Sequence, residues 1–135
     1  MKISLNGAAT LLAATAFMSS MAYATPFDGA YDQAIENCYR TSDSRLIISG
    51  DTYEFWEGGC HLTNPTSVRG ISSAMIYDAA CSAEDSQYSN RVMLIGNSHT
   101  WLGNEQIGID LYVVRNNSVS QLVRCPAGVG TQMYR

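Results

Sequence analysis

The chain has 135 residues, 12 Asp and Glu against 8 Lys and Arg, a formal net charge of -4 and a hydrophobic fraction of 46%. That is enough apolar material for one packed core and too little basic charge for a nucleic-acid or anionic-membrane surface. The acidic balance suits a basic protein or a cationic ligand instead, and an even set of four cysteines without any C-x-x-C pair points to two disulfides rather than a metal or other cofactor.

Residues 1–24, MKISLNGAATLLAATAFMSSMAYA, carry Lys2 as their only charge, an Ala/Leu/Met-rich middle and an A-x-A end at Ala22 to Ala24. This pattern predicts a secretory signal peptide cleaved after Ala24. Ser19 and Ser20 interrupt the apolar stretch before it reaches the roughly 20 residues a bilayer requires, so no membrane anchor is expected. Residues 25–135, 135 less 24 or 111 residues, then form a single exported domain, periplasmic or secreted, that contains no lysine.

From the start of that domain, Thr25 to Tyr31 reads as a lead-in that sets Phe27 and Tyr31 against the core. Ala34, Ile35 and Cys38 have helical spacing, which allows one or two helical turns before a polar loop at Thr41 to Ser44. Arg45 to Cys60, RLIISGDTYEFWEGGC, predicts a β-hairpin with Gly50 and Asp51 as a type II′ turn. Its register sets Ile48 opposite Tyr53 and Leu46 opposite Phe55 on one face, with Ile47 opposite Glu54 and Arg45 over Trp56 on the other. Gly58 and Gly59 then release the chain.

Cys60 to Val68 resumes as a strand whose Asn64-Pro65 marks an edge or a bulge. Ile71 to Cys81 follows with Met75, Tyr77, Ala79 and Cys81 on one side. After a polar turn at Glu84 to Ser86 comes Tyr88 to Ile95, whose last four residues, Val92 to Ile95, are apolar on both faces, as in a sheet that is covered or curls on itself. Asn97 to Gln106 reads as the longest irregular connection. Ile107 to Arg115 and Ser118 to Arg124 form a last hairpin across Asn116-Asn117. Its inward face is either Tyr112, Val114 and Val119 or, preferred, Ile109, Leu111, Val113 and Leu122. A flexible tail is expected from about residue 127.

Cys60 and Cys81 lie symmetrically about Arg69 to Ile71, so a hairpin turning there brings them opposite each other and leaves Cys38 to Cys125. About seven strands in sequential hairpins, with a short helical turn near the start, predict an all-β, antiparallel up-and-down meander. It closes into a small lipocalin-like or lysozyme-inhibitor-like barrel with two disulfides, because closure removes exposed edges. A two-sheet sandwich is the alternative.

The pattern R-L-x-I-x-G-D-x-x-x-F-x-E-x-x-C at Arg45 to Cys60, with Cys81 ending a strand and Arg124-Cys125 before the tail, resembles a group of small exported bacterial proteins of unknown function. That resemblance implies export and a meander, and no activity. Ser49, Gly50 and Tyr53 also match the S-G-x-x-Y element of the periplasmic inhibitors of c-type lysozyme. This second resemblance implies an eight-stranded barrel whose loop enters the lysozyme cleft, with Ser49 and Tyr53 as contacts and Gly50 permitting the turn. The family's Y-x-x-x-T-K-G element has no counterpart in a domain without lysine. The hairpin register points Tyr53 at the core, so the two readings place it on opposite faces.

No catalytic set assembles from the sequence. Ser98-His99 with Asp110 lacks a nucleophile elbow. Glu54 and Glu57, three apart, are expected on opposite faces of a strand, with Glu57 the better functional candidate because it precedes Gly-Gly-Cys; His61 has no partner acid or nucleophile. Trp101 beside His99 in a polar loop has the character of a partner hot spot. The expected function is therefore a non-enzymatic interaction protein, most concretely an inhibitor of a cell-wall lytic enzyme such as lysozyme, engaged through Ser49, Gly50, Tyr53, Glu57, His99 and Trp101. A carrier of a small apolar or cationic ligand inside the barrel is the alternative, although a barrel of about eight strands is largely filled by its own side chains.

Overall fold

A computed structural model describes residues 25–102 and 105–133, with the backbone alone for 97–102 and 105–109. The expected signal peptide, residues 1–24, lies outside the described residues. Eight antiparallel strands close into a barrel in sequential order. They are β1 (Gly29–Asp32), β2 (Leu46–Ser49), β3 (Thr52–Phe55), β4 (Gly58–Val68), β5 (Ile71–Ala83), β6 (Ser86–Leu102), β7 (Glu105–Arg115) and β8 (Ser118–Arg124), with a 3-10 turn at Ile35–Tyr39. The strand absent from the expected seven is β1. At four residues it has too little alternation to stand out from a lead-in, yet it closes the barrel by pairing with both β2 and β8.

The first hairpin has the expected register: Leu46 faces Phe55, Ile47 faces Glu54 and Ile48 faces Tyr53. Gly50 has φ 58 while Asp51 is not among the positive-φ residues, as a type II′ turn requires. The chain is not released at Gly58 and Gly59. Both belong to β4 and pair with Phe55 and Glu54, so the reversal falls on Trp56-Glu57, with Glu57 at φ 58. Pro65 sits at a bulge between Thr63 and Thr66, where its missing N–H costs no ladder bond. Asn116 and Asn117 both have positive φ, at 48° and 61°, in the two-residue turn of the last hairpin.

Side chains that alternate inward fill the barrel. Leu46, Ile48, Tyr53, Leu62, Tyr77, Ala79, Val92, Leu94, Leu111, Val113 and Leu122 form one buried cluster, with the Cys60–Cys81 bridge inside it. The preferred face of the last hairpin is thus the inner one for Leu111, Val113 and Leu122, and Val119 is left 60% exposed; the side chain of Ile109 lies outside the described ones. Phe27 packs its ring edge-on to Tyr77 and closes one end. Tyr31 beside it is fully buried, donates its hydroxyl to the Phe27 carbonyl at 2.8 Å, and carries the Arg124 guanidinium over its ring at 5.0 Å.

Burial raises the pKa of Tyr31, Tyr53 and Tyr77 above the ordinary 10.0, with the Arg124 charge partly opposing it at Tyr31. A raised folded value means that the stabilisation from keeping these phenols neutral is complete below pH 10 and is lost as pH climbs towards and through the folded pKa. Alkaline titration followed at the phenolate absorbance is expected to show Tyr31, Tyr53 and Tyr77 ionising together with unfolding. Ionisation of these three phenols with the fold intact would contradict this burial.

A second cluster lies outside the barrel, beneath the 3-10 turn. Asp32 is fully buried and Arg45 is 2% exposed. Arg45 Nε donates to Asp32 Oδ2 at 2.9 Å, Nη1 to the Gly130 carbonyl at 2.9 Å, and Nη2 to the carbonyls of Asn37 at 2.6 Å and Arg40 at 3.2 Å. The expected stacking of Arg45 on Trp56 therefore does not occur. Charge-assisted hydrogen bonds, roughly 1.5–3 kcal/mol each, outweigh a cation–π contact of about 0.5–1 kcal/mol. The segment after β8 contributes to the same corner: Gly130 accepts from Arg45, the Val129 N–H bonds the Pro126 carbonyl, and the Cys38–Cys125 disulfide ties Cys125 to the 3-10 turn.

Candidate functional site: a carboxylate-lined groove on β3, β4 and β5

Among the described residues a groove of about 790 Å³ opens on the outer wall of the barrel. Its floor is the glycine-rich start of β4. Gly59 points outward between Glu54 and Ser82, its partners on either side, and adds no side chain to fill the space. Gly58 points inward, where a Cβ would stand 2.6 Å from both the Phe55 ring and the Ser82 carbonyl. Two consecutive glycines thus serve different ends: one admits the Phe55 ring, the other opens the groove.

Glu54, Glu57 and Glu84 line this groove together with Trp56, Thr52 and His61. The expectation that Glu54 and Glu57 face opposite sides is overturned by the turn between them. Strand alternation stops at Phe55, and the left-handed Glu57 brings its side chain back to the wall that carries Glu54. The Glu57 carbonyl accepts the Glu84 N–H at 3.2 Å, which joins the two turns at that end. A non-glycine residue in the left-handed region costs about 1–2 kcal/mol, a cost the fold carries at a position where the side chain faces a groove. All three carboxylates are exposed at the wall. His61 lies at the far rim, 3.4 Å from Asp51, and both are exposed.

The remaining sequence candidates are scattered. Ser49 is exposed, while Gly50 is buried and gives its N–H to Asp28 Oδ1 at 2.9 Å. Tyr53 is 3% exposed and belongs to the core, so Ser49 and Tyr53 do not form a joint surface. His99 and Trp101 are not on an irregular connection: they belong to β6 and pair with Gly108 and Gln106 of β7, although their side chains lie outside the described ones. Regular pairing accounts for this stretch because both strands run on past the barrel and satisfy each other's backbone groups. Of the four candidates whose side chains are described, Ser49, Gly50, Tyr53 and Glu57, only Glu57 lines the groove. Nothing in the sequence singles out Glu84 or Thr52, since only the β4 pairing places them there; the Gly-Gly pair is the visible signal.

Among the described residues the inward side chains form one buried cluster, and the space near Tyr53, Phe55 and Arg115 is about 210 Å³, below the roughly 300 Å³ of a small-molecule pocket. Among the described residues no group of three His, Cys, Asp or Glu is placed to hold a metal ion, and no helix is long and apolar enough to cross a membrane. Two disulfides fit an oxidising, exported environment. Comparison with family models, curated proteins and solved structures gives no match to any of them.

Proposed function

We propose that the barrel is an exported, non-enzymatic interaction protein that binds a cationic partner along the groove of β3, β4 and β5. A basic cell-wall lytic enzyme of the lysozyme kind, met in the periplasm or outside the cell, is the most concrete partner. The observation that carries this reading is the convergence of Glu54, Glu57 and Glu84 beside Trp56 on a floor left open by Gly59. An indole flanked by carboxylates suits an arginine or lysine side chain, through cation–π contact and charge. The groove also lies in a chain with more carboxylates than bases, which steers a basic protein towards it.

Calorimetric titration of the chain with a basic lysozyme, together with an inhibition assay, tests this. Binding is expected to weaken with salt, and the combined Glu54→Gln, Glu57→Gln, Glu84→Gln variant is expected to lose at least tenfold in affinity. Glu57→Gly separates the groove from the fold: relief of the left-handed strain raises stability by about 0.5–1 kcal/mol while binding falls. Absence of binding at low salt would end the proposal. Loss on Ser49→Ala with no effect at the three glutamates would move the contact to the β2–β3 turn.

A further inference from the structure

The turns after β3, β5 and β7 and the connection from β1 to β2 all lie at one end of the barrel, away from Phe27. Phe55 and Arg115 are the last inward-facing residues of β3 and β7 at that end, because each stands two positions beyond a core residue, Tyr53 and Val113. The Arg115 guanidinium lies over the Phe55 ring at 5.7 Å, and the two line the space of about 210 Å³ with Tyr53, Trp56, Ser120 and Asp43. Arg115 is half-buried, yet among the described residues its side chain has no ion pair and no hydrogen bond. It enters the hydrogen bonding only through its carbonyl, which accepts from Ser118 at 2.8 Å. Arg45, the other cation on this wall, is neutralised by Asp32.

We propose that this end of the barrel binds a carboxylate carried on a short apolar body, held by the Arg115 guanidinium with the rings of Tyr53, Phe55 and Trp56 around the body. A half-buried cation has given up part of its hydration and gains most from a partner of opposite charge. Laid on a ring, a guanidinium keeps the N–H groups in its plane for an acceptor, and their fork matches the two oxygens of a carboxylate. Size limits the body. With a water's share of liquid volume at about 30 Å³, the space takes roughly seven non-hydrogen atoms, three of them the carboxylate and about four carbons. A short-chain fatty acid and the last residue of a peptide ending in an aliphatic side chain share that chemistry. The acidity of the chain opposes an anion only at long range, since salt screens charges beyond about 8 Å, whereas Asp43, exposed at the rim, opposes it directly. Trp56 borders both this space and the groove, but Glu54, Glu57 and Glu84 line only the groove, so either site stands if the other fails.

Pentanoate, a tripeptide ending in leucine and the same tripeptide with an amidated end, each titrated into the isotope-labelled protein and followed at the Arg115 Nε–H and Trp56 indole resonances, test this. Pentanoate and the free-acid peptide are expected to saturate with a Kd on the order of a millimolar, as ligands of this size allow, and the amide to bind at least roughly tenfold more weakly. Arg115→Gln, with an unchanged circular dichroism spectrum, is expected to weaken both acids by about tenfold or more, and Asp43→Asn to tighten them about twofold. A free-acid peptide that binds tighter than pentanoate by about tenfold or more identifies a chain terminus as the source, and a smaller difference identifies a free short carboxylate. No saturable shift with either acid, an amide that binds as well as the free acid, or binding that Arg115→Gln leaves intact overturns the proposal.

Discussion

Arg45→Ala is expected to cost about 3–5 kcal/mol of folding stability, because it strands the buried Asp32 carboxylate without its charge partner and leaves the carbonyls of Asn37, Arg40 and Gly130 without theirs. Against a typical total of 5–15 kcal/mol, this brings the domain close to unfolding at room temperature. Urea titration gives the number. The cause is tested by the double change Arg45→Met with Asp32→Leu, which removes both charges and keeps volume; it should recover much of the loss, since what costs most is one unpaired charge. If the double variant is as unstable as Arg45→Ala, packing rather than charge holds this corner.

Asp32 also sets the acid limit of the fold. Burial pushes its carboxyl up, but hydrogen bonds from the Ser44 and Ser42 hydroxyls, the Gln33 N–H and Arg45 more than offset this, and its pKa lies below the ordinary 3.8. A depressed folded pKa means that the stabilisation is fully present above the unfolded value, near pH 4, and is lost as pH falls through the folded one. Stability measured from pH 6 to pH 2 should therefore fall below about pH 4 in the native chain, and that fall should shrink in Asp32→Asn, which starts from a lower plateau.

Removing the Cys38–Cys125 bridge, as the double serine variant, is expected to cost about 4–5 kcal/mol. The bridge spans 87 positions, and in the chain-entropy model a loop of that length restrains the unfolded chain by about that amount. The Cys60–Cys81 bridge, at a separation of 21, should cost nearer 3 kcal/mol by the same relation, although its sulfurs sit in the barrel core and serines there add an unfavourable polar burial. The two changes at the first corner should not be additive: a Cβ on Gly130 would touch both Arg45 Nη1 and Cys125 Sγ, so the guanidinium and the bridge share one contact set. A sum of the Arg45→Ala and double-serine losses that matches the combined variant within about 0.5 kcal/mol would show them to be independent.

The sequence by itself determined the features that local repetition encodes. Period-two alternation and Gly-Asp and Asn-Asn turns gave the hairpins at Leu46–Phe55 and Leu111–Leu122 and their registers, because each pairing is fixed by a two-residue turn. The symmetry of Cys60 and Cys81 about the Arg69-Gly70 turn gave both bridges, the second by elimination. The same register set Tyr53 inward, the side on which it is buried.

Tertiary structure alone decided what depends on partners distant in the chain. Strand β1 exists because β2 and β8 flank it, not because four residues alternate. Arg45 is buried because a carboxylate thirteen residues earlier and a carbonyl 85 residues later meet it, and nothing in its own neighbourhood distinguishes it from a surface arginine. The groove has the same origin: Glu54, Glu57 and Glu84 converge only after the left-handed turn at Glu57 resets strand alternation and β5 returns beside β4, two steps that spacing along one strand does not encode.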